Sequence, residues 1–285
     1  MTGMAEAESG AFEQVHPLVR RVLAANPSPF TFTGTQTFIV GAGEVAVIDP
    51  GPDLPEHVEA ILAATRGERI AAILCTHTHR DHSPASRALA AASGAPIIGC
   101  APLALSDDGP RADASFDFGY APDRVLADGE VLHGLRAVAT PGHTSNHLCF
   151  ALEGEGILFT GDHVMGWSTT VIAPPDGDMT AYMASLDLLL LRRDDRLYFP
   201  AHGPAIEKPH AHVRGLIAHR RMRERQILAK LGEGVSHIPE MVATMYAAID
   251  PRLHPAAGRS VLAHLRDLEG RGIVREEGEA WSLAA

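Results

Sequence analysis

The residues Ile70-Ala71-Ala72-Ile73-Leu74 form an apolar run, and Thr76-His77-Thr78-His79-Arg80-Asp81-His82 follow it almost at once. An apolar run of this length reads as a buried strand. Ser83-Pro84 then supplies a capping residue and a first helical residue for the segment Pro84 to Ala92. Four side chains able to ligate a metal therefore crowd one short loop at a strand end: His77, His79, Asp81 and His82. A solvated polar loop is the plain alternative, but so dense a group of imidazoles and carboxylates is unusual for one. Neutral imidazole and carboxylate donors suit zinc, and also iron or manganese. The loop itself contains no cysteine, which argues against a thiolate structural zinc site.

Outward from this loop, strand and helix alternate. Thr37 to Val40 and Glu44 to Ile48 read as a hairpin turning through Gly41 and Gly43, and a helical segment follows at His57 to Ala64. Further on, Ala137 to Ala139, Leu148 to Leu152, Ile157 to Phe159 and Leu197 to Phe199 are short and strand-like, with a helix at Met179 to Leu190 among them. Such a mixture predicts sheets covered by helices, an α/β or α+β layered domain. After Pro204 helices take over. Ala211 to Leu231 has apolar ends and a charged middle with Arg220, Arg221, Arg223, Glu224 and Arg225, which is expected to meet solvent or ion pairs. Ile238, Met241, Val242 and Met245, and then Val261, Leu262, Leu265 and Leu268, repeat at helical spacing. A hairpin closes the chain, with Ile273 and Val274, a turn at Gly278, and Trp281 with Leu283. The expected division is a layered domain over residues 1–210 and a small helical, winged-helix appendix over 211–285.

Bulk properties set the limits. The 285 residues are 46% hydrophobic and 21% charged, an ordinary globular composition. No apolar run approaches the roughly 20 residues of a membrane helix, and Glu6, Glu8 and Glu13 precede any basic residue, unlike a secretory leader. No membrane association and a cytoplasmic location are the expectations. Cys75, Cys100 and Cys149 are widely spaced and odd in number, so they read as buried thiols without disulfides. A formal charge of −11 opposes nonspecific binding to nucleic acid. That charge is uneven: 11 of the 24 basic and 9 of the 35 acidic residues lie from Ala211 onward, leaving 13 against 26 before it.

The strand-end pattern recurs. His143 follows the strand ending near Thr140, Asp162 follows Ile157 to Thr160, and His202 follows Leu197 to Phe199, each beside a glycine. Loops at one edge of a sheet can converge on a point, so seven candidates stand for two metals. The His-x-His-x-Asp-His loop, Pro141-Gly142-His143-Thr144, Thr160-Gly161-Asp162 and Pro200-Ala201-His202-Gly203-Pro204 together resemble the metallo-β-lactamase superfamily. Within it the chain is most similar to the β-lactamase-like endoribonucleases, through Thr169-Thr170, Tyr182 with Ser185-Leu186, the helix from His219-Arg220 to Ile227-Leu228, and the C-terminal winged helix. Ala201 departs from the glycine more usual there.

The resemblance implies an αββα sandwich with a C-terminal winged helix. It implies two divalent ions, zinc first with iron or manganese fitting the same donors. His77, His79 and His143 would bind one ion, Asp81, His82 and His202 the other, and Asp162 would bridge them. A metal-bridging hydroxide would be the nucleophile of hydrolysis, with Asp81 holding it as the catalytic residue. Asp49, in Ile48-Asp49-Pro50-Gly51, would orient a ligand histidine, although a Pro-Gly turn alone accounts for it. His147 and His163 stand beside ligands and are open between a supporting and a packing role. His133, His210, His212, His237 and His254 have no constellation around them, and Arg80 is expected to be exposed or ion-paired. Trp167 and Met165 are open between pocket and core. Substrate is open between single-stranded RNA, favoured by the resemblance with Arg220 to Arg225 as a contact, and an acyl thioester as in thioesterases or glyoxalase II. A true β-lactamase and a non-enzymatic metal-binding protein rank lower. Small molecule or RNA therefore stays unresolved, as does oligomeric state.

Overall fold

The computed structural model describes residues 9–104, 116–248 and 250–284. Two compact units emerge: residues 1–139, 146–168 and 194–207 form the first, and 140–145, 169–193 and 208–285 the second.

The first unit is built on two sheets. Strands β1 (Phe12–His16), β2 (Val19–Leu23), β3 (Gln36–Ala42), β4 (Glu44–Ile48), β5 (Arg69–Cys75), β6 (Ile97–Gly99) and β7 (Arg124–Val125) lie in sequence order in the larger sheet. The first four run antiparallel to their neighbours, and β4 through β7 are parallel. Helices α1 (Pro55–Ala64) and α2 (Ala85–Ser93) make the crossovers that parallel pairing requires. The smaller sheet is ordered β12 (Leu197–Pro200), β11 (Ile157–Gly161), β10 (Leu148–Leu152), β9 (Leu135–Ala139) and β8 (Val131–Leu132). Its β11–β12 pair is parallel, so these two strands end side by side. The sheets share one core: the ring of Phe38 on β3 lies 5.2 Å from Phe159 and 5.3 Å from Phe199. All three cysteines are buried free thiols, as expected, and burial pushes Cys100 up to about 12.

The expected hairpin, helices and strands of this unit are all present. The β1–β2 hairpin was not anticipated, because its buried Val19 and Val22 are interleaved with Arg20 and Arg21. Those arginines are tethered rather than free: Arg20 pairs with Glu68 at 2.6 Å and Arg21 bonds Gln36 at 2.7 Å.

The second unit holds α3 (Met179–Leu191), α4 (Pro209–Gly232), α5 (Ile238–Met245), α6 (His254–Gly270) and the hairpin β13 (Val274–Glu277) with β14 (Ala280–Leu283). Ile227, Leu231, Met241, Val261, Leu265 and Trp281 anchor its core. Two helices followed by a hairpin match the expected winged helix. The charged middle of α4 needs a correction. Arg220 is only 3% exposed, on the same stripe as Val213, Leu216, Ile217 and Ile227. Spacings of three, four and seven place it inward, against what its charge suggested. Glu224 does pair with solvent-side Arg271, at 2.7 Å. Among the described residues no helix is long and apolar enough to cross a membrane.

His264 on α6 is 3% exposed, and burial, then the charges of Arg220, His219, Arg271 and Arg223, depress it to about 3 from an ordinary 6.5. Below pH 6.5 the unfolded chain therefore takes up a proton that the folded chain refuses until about pH 3. Stability is lost as pH falls through that window. The unfolding free energy from urea titration is expected to fall more between pH 7 and 5 for the native chain than for His264→Leu, by roughly 2 kcal/mol. Equal slopes would contradict this.

Candidate metal centre

Strand ends bring the donors together. β4 delivers Asp49, β5 the loop 76–82, β11 Asp162 and β12 His202. Because β4 and β5 are parallel, and β11 and β12 likewise, their C-terminal ends align. His77, His79 and Asp162 offer ligand atoms within 4.8 Å of one another, and so do Asp81, His82 and His202.

Hydrogen bonds decide which ring nitrogen each histidine presents. The Asp49 carboxylate accepts from the Thr76 amide at 2.8 Å, from Thr76 Oγ1 at 2.8 Å and from His82 Nδ1 at 3.0 Å. Thr76 thus gives its only hydroxyl proton to Asp49, so at 2.9 Å its oxygen accepts from His77 Nδ1. His202 Nδ1 likewise faces the carbonyl of Gly34 at 3.3 Å. In all three rings the Nδ1 proton is committed and Nε2 keeps its lone pair, the form a ligand needs. His77 Nε2 meets His79 Nδ1 at 2.9 Å, two nitrogens converging on one place.

The second group is short of positive charge. His82 Nε2 is buried without a hydrogen-bond partner, 3.5 Å from Asp81 Oδ2 and from Asp162 Oδ1. His202 Nε2 lies 3.2 Å from the same two carboxylates. Lone pairs facing carboxylates repel unless a cation sits among them. The titration behaviour expresses the same demand: burial opposes charge on His82 and His202, yet Asp81 and Asp162 outweigh it and hold both above their usual range. Burial likewise acts to raise Asp81, and the two histidines overcome it and hold it well below the carboxylate range. A buried cluster whose carboxylates favour positive charge among the facing imidazoles fits a divalent ion.

His143 sits in the second unit, on the loop 140–145. It is buried, and its Nδ1 donates to the Val171 carbonyl at 2.7 Å, which leaves the lone pair on Nε2. Three further contacts hold the loop: Ser145 Oγ to Asp176 at 2.5 Å, the Asp178 amide to Gly142 O at 2.9 Å, and Ser185 Oγ to Pro141 O at 2.8 Å.

His147 takes a supporting role, accepting from the Asp162 amide at 3.3 Å. His163 is buried with its ring 5.9 Å from that of His147. Met165 is buried, while half-buried Trp167 stacks on Phe32 at 5.0 Å. Arg80 is exposed and bonds the Phe116 carbonyl. Two supports had no signal in the sequence. Gln36, buried on β3, donates to the carbonyls of Pro200 at 3.0 Å and Gly203 at 2.7 Å, bracketing His202. Asp117 takes Ser83 Oγ at 2.9 Å and Arg87 at 2.8 Å behind the 76–82 loop. A lone glutamine in a strand, or an aspartate 35 residues from the loop it braces, looks like any polar residue.

The metallo-β-lactamase superfamily model matches residues 30–202, which include every one of these donors. The chain belongs to this superfamily. A second model, the β-lactamase-associated winged helix domain, matches residues 238–281 of this metallo-β-lactamase chain. The superfamily member is 34% identical to the lactamase-like protein ptaB of Pestalotiopsis fici, over 96% of this chain and 85% of that one. It is 32% identical to the atrochrysone carboxyl ACP thioesterase dmxR1 of Cryptosporiopsis, over 82% of this chain and 74% of the other. Two Aspergillus relatives bear that same thioesterase name. A β-lactamase domain protein from Burkholderia ambifaria has the same fold, with a TM-score of 0.81 at 20% identity, covering 98% of this chain and 96% of that one. The superfamily and these relatives make the metallo-β-lactamase chain a hydrolase with a histidine and aspartate metal-binding cluster.

Asp49 is the hub of the donor set, touching His82 directly and His77 through Thr76. Asp49→Ala is expected to weaken metal binding about 10- to 100-fold. Competition with a chelator checks this, and native affinity would remove the hub from the account.

Proposed function

We propose that this chain is a dinuclear metal-dependent acyl thioesterase. The observation that carries the substrate class is the thioesterase name of three relatives, each 32% identical over more than four fifths of this chain. In this reading His77, His79 and His143 would hold one ion and Asp81, His82 and His202 the other, with Asp162 available as a donor to both. Zinc is the first expectation, with iron or manganese acceptable to the same donors.

When bound, the ions supply a water nucleophile active near neutral pH and polarise the acyl oxygen. The chain's own residues do the rest. Asp49 and Thr76 fix the rings of His82 and His77, so the donors need no reorganisation at the moment of reaction. Asp81, with a side chain 27% exposed at the edge of the cluster, would hold and orient the attacking water by accepting its hydrogen bond. A thioester suits such a site. Its leaving group has a pKa of about 8.5, so it departs as thiolate without a dedicated acid.

Two observations move RNA to second place. Arg220, expected as an RNA contact, is buried, and Arg223 is spent on the Met245 carbonyl and the face of Tyr246. The formal charge of −11 also opposes a polyanion.

The test runs an acyl-N-acetylcysteamine thioester and a labelled single-stranded RNA side by side with zinc-loaded protein and an Asp81→Ala control. Thioester turnover that disappears in the control is expected. RNA cleavage without thioester turnover would overturn the proposal and restore the ribonuclease reading.

A further inference from the structure

We infer that Arg220 is a positioning residue for the metal ligand His143, acting from the helix that leads into the winged helix. The inference rests on the proposed ligand role of His143. Every contact in it lies within the second unit.

Arg220 donates through Nη2 to the carbonyl of Thr170, and its guanidinium lies 5.2 Å from the centre of the Tyr182 ring. The next carbonyl along the chain, that of Val171, receives the Nδ1 proton of His143 at 2.7 Å. Because a peptide unit is planar, holding the Thr170 carbonyl fixes the plane from which Val171 continues. The second partner of Arg220 points to the same loop. A Cβ on Gly142, the residue before His143, would stand 2.3 Å from Tyr182 Cα, so the loop lies directly on the residue whose ring the guanidinium covers. Arg220 thus holds both supports of the His143 loop, the 170–171 segment and Tyr182.

Stability alone does not explain this arginine. Its Nε is buried without a hydrogen-bond partner, and a buried charge that pairs with no carboxylate among the described residues is a costly way to fill a helix face. Farther along α4, Ile227 and Leu231 enter the core formed with Met241, Val261 and Trp281. The winged helix therefore anchors the helix from which Arg220 reaches back, which gives this appendix a role in the metal site that requires no nucleic acid.

The experiment titrates metal-free full-length protein with Co²⁺, following its visible absorption, for the native chain, His143→Ala, Arg220→Met and Arg220→Lys. Two binding steps are expected for the native chain. His143→Ala should lose or weaken one of them, and Arg220→Met should weaken that same step about 10- to 100-fold, the scale for a group that orients a ligand. The other step should be unchanged, even where loss of the bond to the Thr170 carbonyl lowers the metal-free thermal midpoint of Arg220→Met. Arg220→Lys, which keeps the charge but not the planar fork, should lie between, and it carries the comparison if Arg220→Met does not fold. Native binding in the Arg220 variants, with one step lost in His143→Ala, would overturn the inference and leave the metal reading standing. Equal weakening of both steps with a lowered midpoint would reduce Arg220 to a packing residue. Two undiminished steps in His143→Ala would instead overturn the ligand assignment beneath it.

Discussion

His82→Ala and Asp162→Ala are each expected to abolish hydrolysis while leaving the chain folded. His82 Nε2 and Asp162 Oδ1 are 3.5 Å apart in the cluster, and His202 Nε2 is 3.2 Å from the same carboxylate oxygen. Removing either side chain deletes a donor from a set in which each ring has already been oriented by its own Nδ1 bond. The expected fall in kcat/KM is at least roughly a thousandfold, the upper range for losing one preorganised electrostatic contact. Folding should survive, because Asp49 keeps both of its bonds from Thr76 and the apolar core of the first unit is untouched. Steady-state kinetics together with circular dichroism checks both halves. Undiminished activity in either variant would remove the two-metal hypothesis.

Gly142→Ala is expected to disable the protein from a position that carries no chemistry. The residue has φ +138° and lies against α3, where a Cβ would fall 2.3 Å from Tyr182 Cα and 2.5 Å from its nitrogen. Both atoms are backbone within a helix, so neither can swing aside, and the loop itself must lift. The Asp178 amide would then lose Gly142 O, and His143 would lose Val171 O. A shift of about 1 Å in a positioned group costs roughly a hundredfold in rate, and the strain about 1 to 3 kcal/mol in stability. Gly154→Ala, where a Cβ meets nothing within 4 Å, is the control and should behave as the native chain. A fully active Gly142→Ala would show that the loop is not held as described.

The centre was legible because its chemistry is concentrated. His77, His79, Asp81 and His82 fall in one loop at the end of an apolar strand, and the parallel β4–β5 and β11–β12 pairs then require that Asp49, Asp162 and His202 lie at aligned strand ends. Asp49 could be suspected only through family likeness, since Asp-Pro-Gly is also an ordinary turn. Its hub role appears only when Thr76 is seen to spend its proton on it. Gln36 and Asp117 were invisible for a different reason: their partners are backbone carbonyls or residues 30 or more positions away, and such pairings leave no local pattern. Arg220 was misjudged because charge was given more weight than helical spacing. Its place on the stripe of Val213, Leu216 and Ile227 was the better guide. The N-terminal hairpin escaped notice because Arg20 and Arg21 carry their charge to fixed partners at the sheet surface rather than into solvent.

Whether one cluster of histidines and aspartates holds two ions can be read from anomalous X-ray diffraction of zinc-soaked crystals of the protein. Two strong peaks are expected, one against His77, His79 and His143 and the other against Asp81, His82 and His202, both within reach of Asp162. A single peak, or peaks away from these residues, would contradict the two-metal hypothesis.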